Sequence, residues 1–184
     1  MKQAMISYVQ NIKNDELYTP EYALDPLLKY LPRHIKVWEC TDYGKSNITK
    51  VLRENGYEVI STKKEDFDFL RDTPDFDFDC IITNPPYSLK DEFIEKCYEY
   101  KKPFALLLPI TSLEGIRRGG VFKKNGLELI VLDKRIVYMK DKKSNWFNTS
   151  WFCWKLLHHE LNFESLEVRK DEQEKESIFQ SLLP

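Results

Sequence analysis

The sequence predicts an α/β fold, a doubly wound and mostly parallel sheet with helices on both faces. Three observations predict it. Short apolar runs alternate with amphipathic segments along most of the 184-residue chain. Two of the runs, 80–83 (Cys-Ile-Ile-Thr) and 103–109 (Pro-Phe-Ala-Leu-Leu-Leu-Pro), are apolar nearly throughout, as strands buried on both faces of a parallel sheet are. No internal repeat, linker or low-complexity stretch interrupts the alternation, so 1–184 reads as one domain with an N-terminal arm (1–17) and a C-terminal tail (158–184).

Taken in order, residues 1–17 are polar with scattered apolar positions. Tyr18-Thr19-Pro20 leads into an amphipathic helix over 21–30, with Thr19 as N-cap and Pro20 in the first helical position, and Pro32 ends it. Residues 34–40 read as the first strand. The loop 41–45 opens a helix over 46–55, which Gly56 stops at C′. A second strand spans 57–62. The stretch 63–79 follows with seven carboxylates, then the strand 80–83, a helix from about 90 to 100 and the strand 103–109. A short helix around 112–118 is expected to break at Gly119-Gly120. The last strands, 127–132 and 149–156, flank a basic loop, and the tail carries a mixed-charge run, 169–176, read as an exposed helix or frayed end.

Composition narrows the function classes. Hydrophobic residues make up 42% and charged residues 32%, as in a soluble globular protein, and no apolar run approaches the ~20 residues that span a bilayer. The start Met1-Lys2-Gln3-Ala4 opens no signal peptide. Cys40, Cys80, Cys97 and Cys153 are widely spaced and stand in no metal-ligand register with His34, His158 or His159, so a reduced, intracellular protein without a metal site is expected. The net charge of −2 argues against a uniformly basic nucleic-acid binder. Between 117 and 143, however, nine basic residues face only Glu128, Asp133 and Asp141, a surface that could contact phosphates.

The stretch that carries chemistry is Asn84-Pro85-Pro86-Tyr87. Two prolines forbid the preceding strand from continuing, and Asn84, before a proline, is biased to an extended backbone. The result is a stiff loop at the carboxyl end of a strand, where open α/β sheets bind ligands. It offers an amide, carbonyls without a competing donor, and a phenol ring. The first strand-loop-helix unit lacks both GxGxxG and GxxxxGK[ST], which disfavours a nicotinamide enzyme or a phosphate-loop ATPase.

With Asn84-Pro85-Pro86-Tyr87 in this layout, the chain resembles the class I S-adenosylmethionine-dependent methyltransferases that act on exocyclic amino groups. It is most similar to the adenine-N6 nucleic-acid branch, including small forms found in phages. The likeness covers about 18–155. It implies a Rossmann-like methyltransferase fold, S-adenosylmethionine as cofactor and catalytic roles for Asn84, Pro85, Pro86 and Tyr87. For the cofactor it implies the turn Tyr18, Thr19, Pro20; the first loop with Glu39, Cys40 and Gly44; and the pair Asp68 and Phe69 beside the adenine. Two departures stand out. Thr41, Asp42 and Tyr43 occupy places where small residues are common, and the ribose-binding acid after the second strand is replaced by Ser61-Thr62-Lys63-Lys64. Ser61 or Thr62 could supply a hydroxyl there, or Glu65 or Asp66 could reach back. The segment 145–151 resembles the aromatic turn that sandwiches a target base against Tyr87, with Phe147 favoured over Trp146.

The chemistry suits these residues. An aryl amine's lone pair is delocalised, and acceptors at Asn84 and Pro85 aimed at its N–H bonds favour a pyramidal nitrogen and its developing positive charge. A base in a duplex must be flipped out to reach them. The resemblance thus implies methylation of adenine N6 in DNA, with RNA as the nearer alternative and an inactive binding or regulatory protein of the same fold as the other. No large target-recognition domain follows 156, so recognition is expected from short loops, the basic segment or a second subunit in a homodimer.

Overall fold

The computed structural model describes residues 19–138 and 147–167. The arm 1–17, Tyr18, Trp146, the basic residues Lys140, Lys142 and Lys143, and the run 169–176 lie outside the described residues. Among the described residues seven strands form one sheet: β1 (Lys36–Glu39), β2 (Glu58–Ser61), β3 (Cys80–Thr83), β4 (Phe104–Pro109), β5 (Glu128–Leu132), β6 (Thr149–Trp154) and β7 (Leu161–Glu164). Their order is β2-β1-β3-β4-β6-β5-β7. All neighbours are parallel except β6, which runs antiparallel to β4 and β5. The two apolar runs of the sequence, β3 and β4, are buried along their whole length in the middle of the sheet.

Helices cover both faces. A 3-10 helix (Glu21–Leu24) runs into a short α-helix, α1 (Asp25–Leu28); α2 is Asn47–Glu54, α3 Lys90–Tyr100 and α4 Ile116–Asn125. Strand residues alternate between two cores. Val37, Ile82 and Leu107 face the cluster with Leu24, Leu27, Ile48 and Leu52, whereas Trp38, Ile81 and Leu106 face the one with Phe93, Ile94 and Phe104. Trp38 is fully buried and meets the rings of Phe67, Phe69, Phe76, Phe78 and Tyr100 at 4.9–5.6 Å. The acidic stretch 75–79 is thereby explained: its phenylalanines pack on Trp38 while Asp75, Asp77 and Asp79 stay exposed.

Three expectations are corrected. Thr19 makes no N-cap bond; Pro20 precedes a 3-10 turn instead, and Thr19 is held elsewhere. Gly119-Gly120 does not break a helix but lies inside α4, whose start is fastened by Arg118 to the carbonyls of Ser112 and Glu114. Such anchoring outweighs a propensity cost of about 1 kcal/mol per glycine. The region read as tail contributes a strand, β7, paired in parallel with β5.

Strand order reverses between β1 and β3: the connection through α2 leads outward to β2, that through α3 leads the other way to β4. The carboxyl ends of β1 and β3 therefore border the crevice where such sheets bind ligands.

Candidate active site

β3 ends at the fully buried Thr83, and Asn84-Pro85-Pro86-Tyr87 turns out of the sheet into a 3-10 helix (Tyr87–Leu89) closed by the bond from Leu89 N–H to the Pro86 carbonyl, 2.9 Å. The loop is tied on several sides. Asn84 Nδ2 donates to Thr19 Oγ1 at 3.0 Å, which fixes the plane of the amide and puts its oxygen on the side away from Thr19. The Tyr87 hydroxyl lies 3.2 Å from that of buried Tyr138, which donates to Thr149 Oγ1 at 3.2 Å. The Tyr87 ring meets Phe147 edge to face, centroids 5.8 Å apart at 74°.

Behind the loop, at the end of β1, Glu39 is 1% exposed. Its Oε1 accepts from Thr83 Oγ1 (2.7 Å), Thr41 N–H (2.9 Å) and Thr41 Oγ1 (3.0 Å). Burial pushes the Glu39 carboxyl up, against the hydrogen bonds from Ser46, Thr83 and Thr41 that favour its ionised form. The carboxyl thus couples the ends of β1 and β3 directly beneath Asn84.

The loop after β1 is organised by an anion of its own. Asp42 Oδ1 accepts from the N–H groups of Gly44 (2.7 Å) and Ser46 (3.0 Å), and Oδ2 from Thr49 Oγ1 (2.7 Å). Burial disfavours the charge, but the bonds from Thr49, Ser46, Gly44 and Ser61 outweigh it and hold the carboxyl below its ordinary range. Two of the loop's N–H groups, those of Gly44 and Ser46, are therefore occupied from within. Gly44 sits at φ +84°, where a side chain would be strained.

Between this loop, the segment after β2 and the start of α3 lies a cleft of about 170 Å³, lined by residues including Cys40, Thr41, Tyr43, Lys64, Asp68, Phe69, Pro86 and Leu89. Phe69 stacks on Phe93 at 4.9 Å, so one ring face is already covered, and Asp68 Oδ1 accepts from Leu70 N–H at 3.0 Å. The thiol of Cys40 is pushed well up by burial, which makes it a wall of the cleft and not a nucleophile.

No family model matches the chain, and no curated protein matches it. Solved structures do. A candidate class I S-adenosylmethionine-dependent methyltransferase from Listeria monocytogenes superposes with a TM-score of 0.58 at 13% identity, covering 91% of this chain and 71% of that one. The fold is that of the class I methyltransferases. A ribosomal protein L11 methylase from Lactobacillus delbrueckii subsp. bulgaricus is a more distant likeness, with a TM-score of 0.42 and 12% identity over 74% of this chain and 77% of that one. The fold assignment rests on the first.

Within this methyltransferase fold, the cleft gathers Cys40, Asp68 and Phe69 with Pro86 of the Asn84 loop. Glu39 lies behind the loop, Thr19 against Asn84, and Pro20 is buried beside it. Gly44 and Ser61 are both exposed and do not line the cleft, and Ser61 is bonded to Asp42. Thr62 turns inward, its hydroxyl accepting from Trp38 Nε1 at 2.9 Å. Phe147 lies edge to face against Tyr87; Trp146 and Tyr18 lie outside the described residues. Among described residues, no group of His, Cys, Asp or Glu is placed to hold a metal ion, and no helix is long and apolar enough to cross a membrane.

The basic segment divides. Arg117 is bidentate to Glu95 (2.7 and 2.6 Å) and reaches Glu92 (3.2 Å), and Arg118 pairs with Asp91 at 2.5 Å. These two cations clamp α4 to α3. Lys134 and Arg135, by contrast, lie on the loop after β5, and Arg135 Nε donates to Asn148 Oδ1 (2.8 Å) beside the Phe147 turn. Sequence reasoning missed Asp42 as the organiser of the first loop, although an aspartate two residues before a glycine is an Asx-turn signal.

Proposed function

We propose that the chain is an S-adenosylmethionine-dependent methyltransferase acting on the N6 amine of adenine in DNA, with the base flipped into the pocket of Asn84, Pro85, Pro86 and Tyr87. The observation that carries the reading is the Asn84 loop itself: two prolines at the end of a central strand, an amide held in one plane, and a tyrosine ring facing Phe147, all beside a cleft at the sheet's switch point. The residues fit the cofactor at two of its parts. Asp68, Phe69 and Leu89 offer an acceptor and apolar walls for an adenine, and the buried carboxyl of Glu39 favours a cation near the Asn84 loop. At the ribose, hydroxyls and lysines replace the expected acid, so weak affinity follows.

When bound, S-adenosylmethionine supplies a methyl group on a sulfonium. The chain's own contribution is positioning and electrostatics. Asn84 Oδ1 and the Pro85 carbonyl accept the two N–H bonds of the amine and stabilise its growing positive charge. Tyr87 and Phe147 hold the base plane; two stacked faces need about 7 Å between their rings, twice the ~3.5 Å contact distance. At 5.8 Å and edge to face, the Phe147 ring must turn to admit a base.

A radiolabelled methyl-transfer assay across DNA, RNA and protein tests the reading, with label expected in DNA adenine. Asn84→Ala should keep cofactor binding and lose transfer by at least a hundredfold, on the order of one lost oxyanion-type contact; retained activity would sink the mechanism. Two observations favour a second reading, an inactive binding protein of this fold: Asp42 binds N–H groups of the first loop, and Thr62-Lys63-Lys64, not an acid, come directly after β2. Calorimetry with S-adenosylmethionine separates the two, since only the enzyme must bind it.

A further inference from the structure

We infer that Thr19 is a positioning residue for Asn84, holding the amide so that its oxygen, and not its NH2 group, meets the substrate amine. The inference rests on the methyltransferase reading above and concerns how the acceptor is kept in register.

An asparagine at this position has two nearly isosteric ends of opposite function. The oxygen accepts an N–H of the amine; the NH2 group would repel it. Rotation about the last side-chain bond interconverts them, and such sp³–sp² torsions are broad and roughly two-fold, so the side chain alone does not choose. In the structure Nδ2 is bound to Thr19 Oγ1 at 3.0 Å. That bond uses the NH2 end as an anchor and leaves the oxygen on the opposite side.

The anchor is itself immobilised more firmly than a contact to a loose ligand requires. Thr19 is 6% exposed, and the proline after it restricts its backbone. Its carbonyl accepts from Asn47 Nδ2 at 2.9 Å, at the start of α2, and Glu21 pairs with Lys50 of the same helix at 2.5 Å. The turn is also sewn to the other half of the sheet. Trp151 Nε1 donates to the Ala23 carbonyl at 2.9 Å, and Val137 N–H to the Tyr22 hydroxyl at 2.9 Å, one residue before the Tyr138 that contacts Tyr87. Four residues of chain thus bind α2 on the cofactor side, β6 in the centre and the Tyr87 support on the substrate side, with Thr19 aimed at Asn84.

Thr19 is expected from sequence to cap a helix or touch the cofactor. The first is not observed, and the second differs measurably from positioning. Thr19→Val keeps the shape and removes the acceptor; Thr19→Ser keeps the hydroxyl. If Thr19 positions Asn84, Thr19→Val lowers kcat on DNA about tenfold, the worth of one hydrogen bond, with S-adenosylmethionine affinity by calorimetry unmoved, and Thr19→Ser restores turnover. The side-chain amide resonance of Asn84 in ¹⁵N spectra of the cofactor-free protein should shift and broaden in Thr19→Val and stay in place in Thr19→Ser. Weakened cofactor binding with unchanged kcat makes Thr19 a cofactor contact and overturns the inference, as does an unperturbed Asn84 resonance. Should the wild type transfer to no substrate, the enzyme reading fails by itself, and the resonance alone decides whether Thr19 orders Asn84.

Discussion

Removing the Asp42 carboxylate tests whether the first loop is built around an internal anion. In Asp42→Ala, four donors lose their partner: the N–H groups of Gly44 and Ser46 and the hydroxyls of Thr49 and the exposed Ser61. Gly44 is exposed and water replaces its bond, Ser46 is half-buried, and Thr49 is 5% exposed. With about 1–3 kcal/mol for each donor left unsatisfied in the interior, Thr49 and a part of Ser46 together give a loss of about 2–4 kcal/mol. At about 2–4 °C per kcal/mol for a chain of this size, Tm falls by roughly 4–16 °C. Asp42→Asn keeps one oxygen for the backbone donors and should lose only about 1 kcal/mol. The pH dependence has a definite sign. The folded pKa of Asp42 lies below its unfolded value near 3.9, so its stabilisation is complete above about pH 4 and is lost as pH falls through the folded pKa. Urea titrations of wild type and Asp42→Ala should therefore differ fully at pH 7 and converge in strong acid. A loss under 1 kcal/mol at pH 7, or a gap that widens on acidification, refutes the account.

Two further outcomes bear on the substrate side. On the proposed function, Phe147→Ala removes one of two stacking faces and should raise KM for DNA by roughly ten- to a hundredfold, the worth of a base–aromatic stack, with cofactor affinity unchanged; an equal loss of cofactor affinity would show that Phe147 acts elsewhere. Arg117→Ala breaks exposed ion pairs to Glu92 and Glu95, so it should alter stability by less than about 1 kcal/mol and leave the salt dependence of DNA binding untouched, whereas Arg135→Ala should reduce that slope by about one unit.

The parts of this fold legible in the sequence are those whose cause is local. β3 and β4 announce themselves as apolar runs, Ser46 caps α2 by accepting from Thr49 N–H at 3.4 Å, Gly56 takes φ +84° just past its end, and the two prolines stop β3 where they must. What was hidden depends on partners far along the chain. β7 reverses the usual alternation: Leu161 and Phe163 are 52% and 74% exposed, while Asn162 is buried and donates to the carbonyls of Leu129 and His159. Its polar residue points inward because it has acceptors waiting there, which no pattern of the strand itself reveals. Arg117 and Arg118 read as free cations until α3 brings Asp91, Glu92 and Glu95 beside them. Thr19, 65 residues from Asn84, looks like a cap because its neighbours in sequence are helical.

The two halves of the candidate site are stabilised by different means, and that difference bears on its chemistry. On the amine side, rigidity comes from prolines and from long-range bonds to Thr19, Tyr138 and Thr149, so the acceptor geometry exists before any substrate arrives. On the proposed cofactor side, rigidity comes from Asp42, which binds the N–H groups of Gly44 and Ser46 and so does not leave these two for a ligand. Binding energy there has to come from the apolar cleft and from Asp68 and Glu39. Preorganised acceptors act on the transition state and so raise kcat, while a loop that binds its own carboxylate weakens the grip on the cofactor equally in ground state and transition state, which raises KM and leaves kcat unchanged. On the proposed function, a chain built this way gives up affinity for the cofactor and nothing in the transfer step itself, so the acid missing directly after β2 and the intact Asn84 loop are compatible in one enzyme.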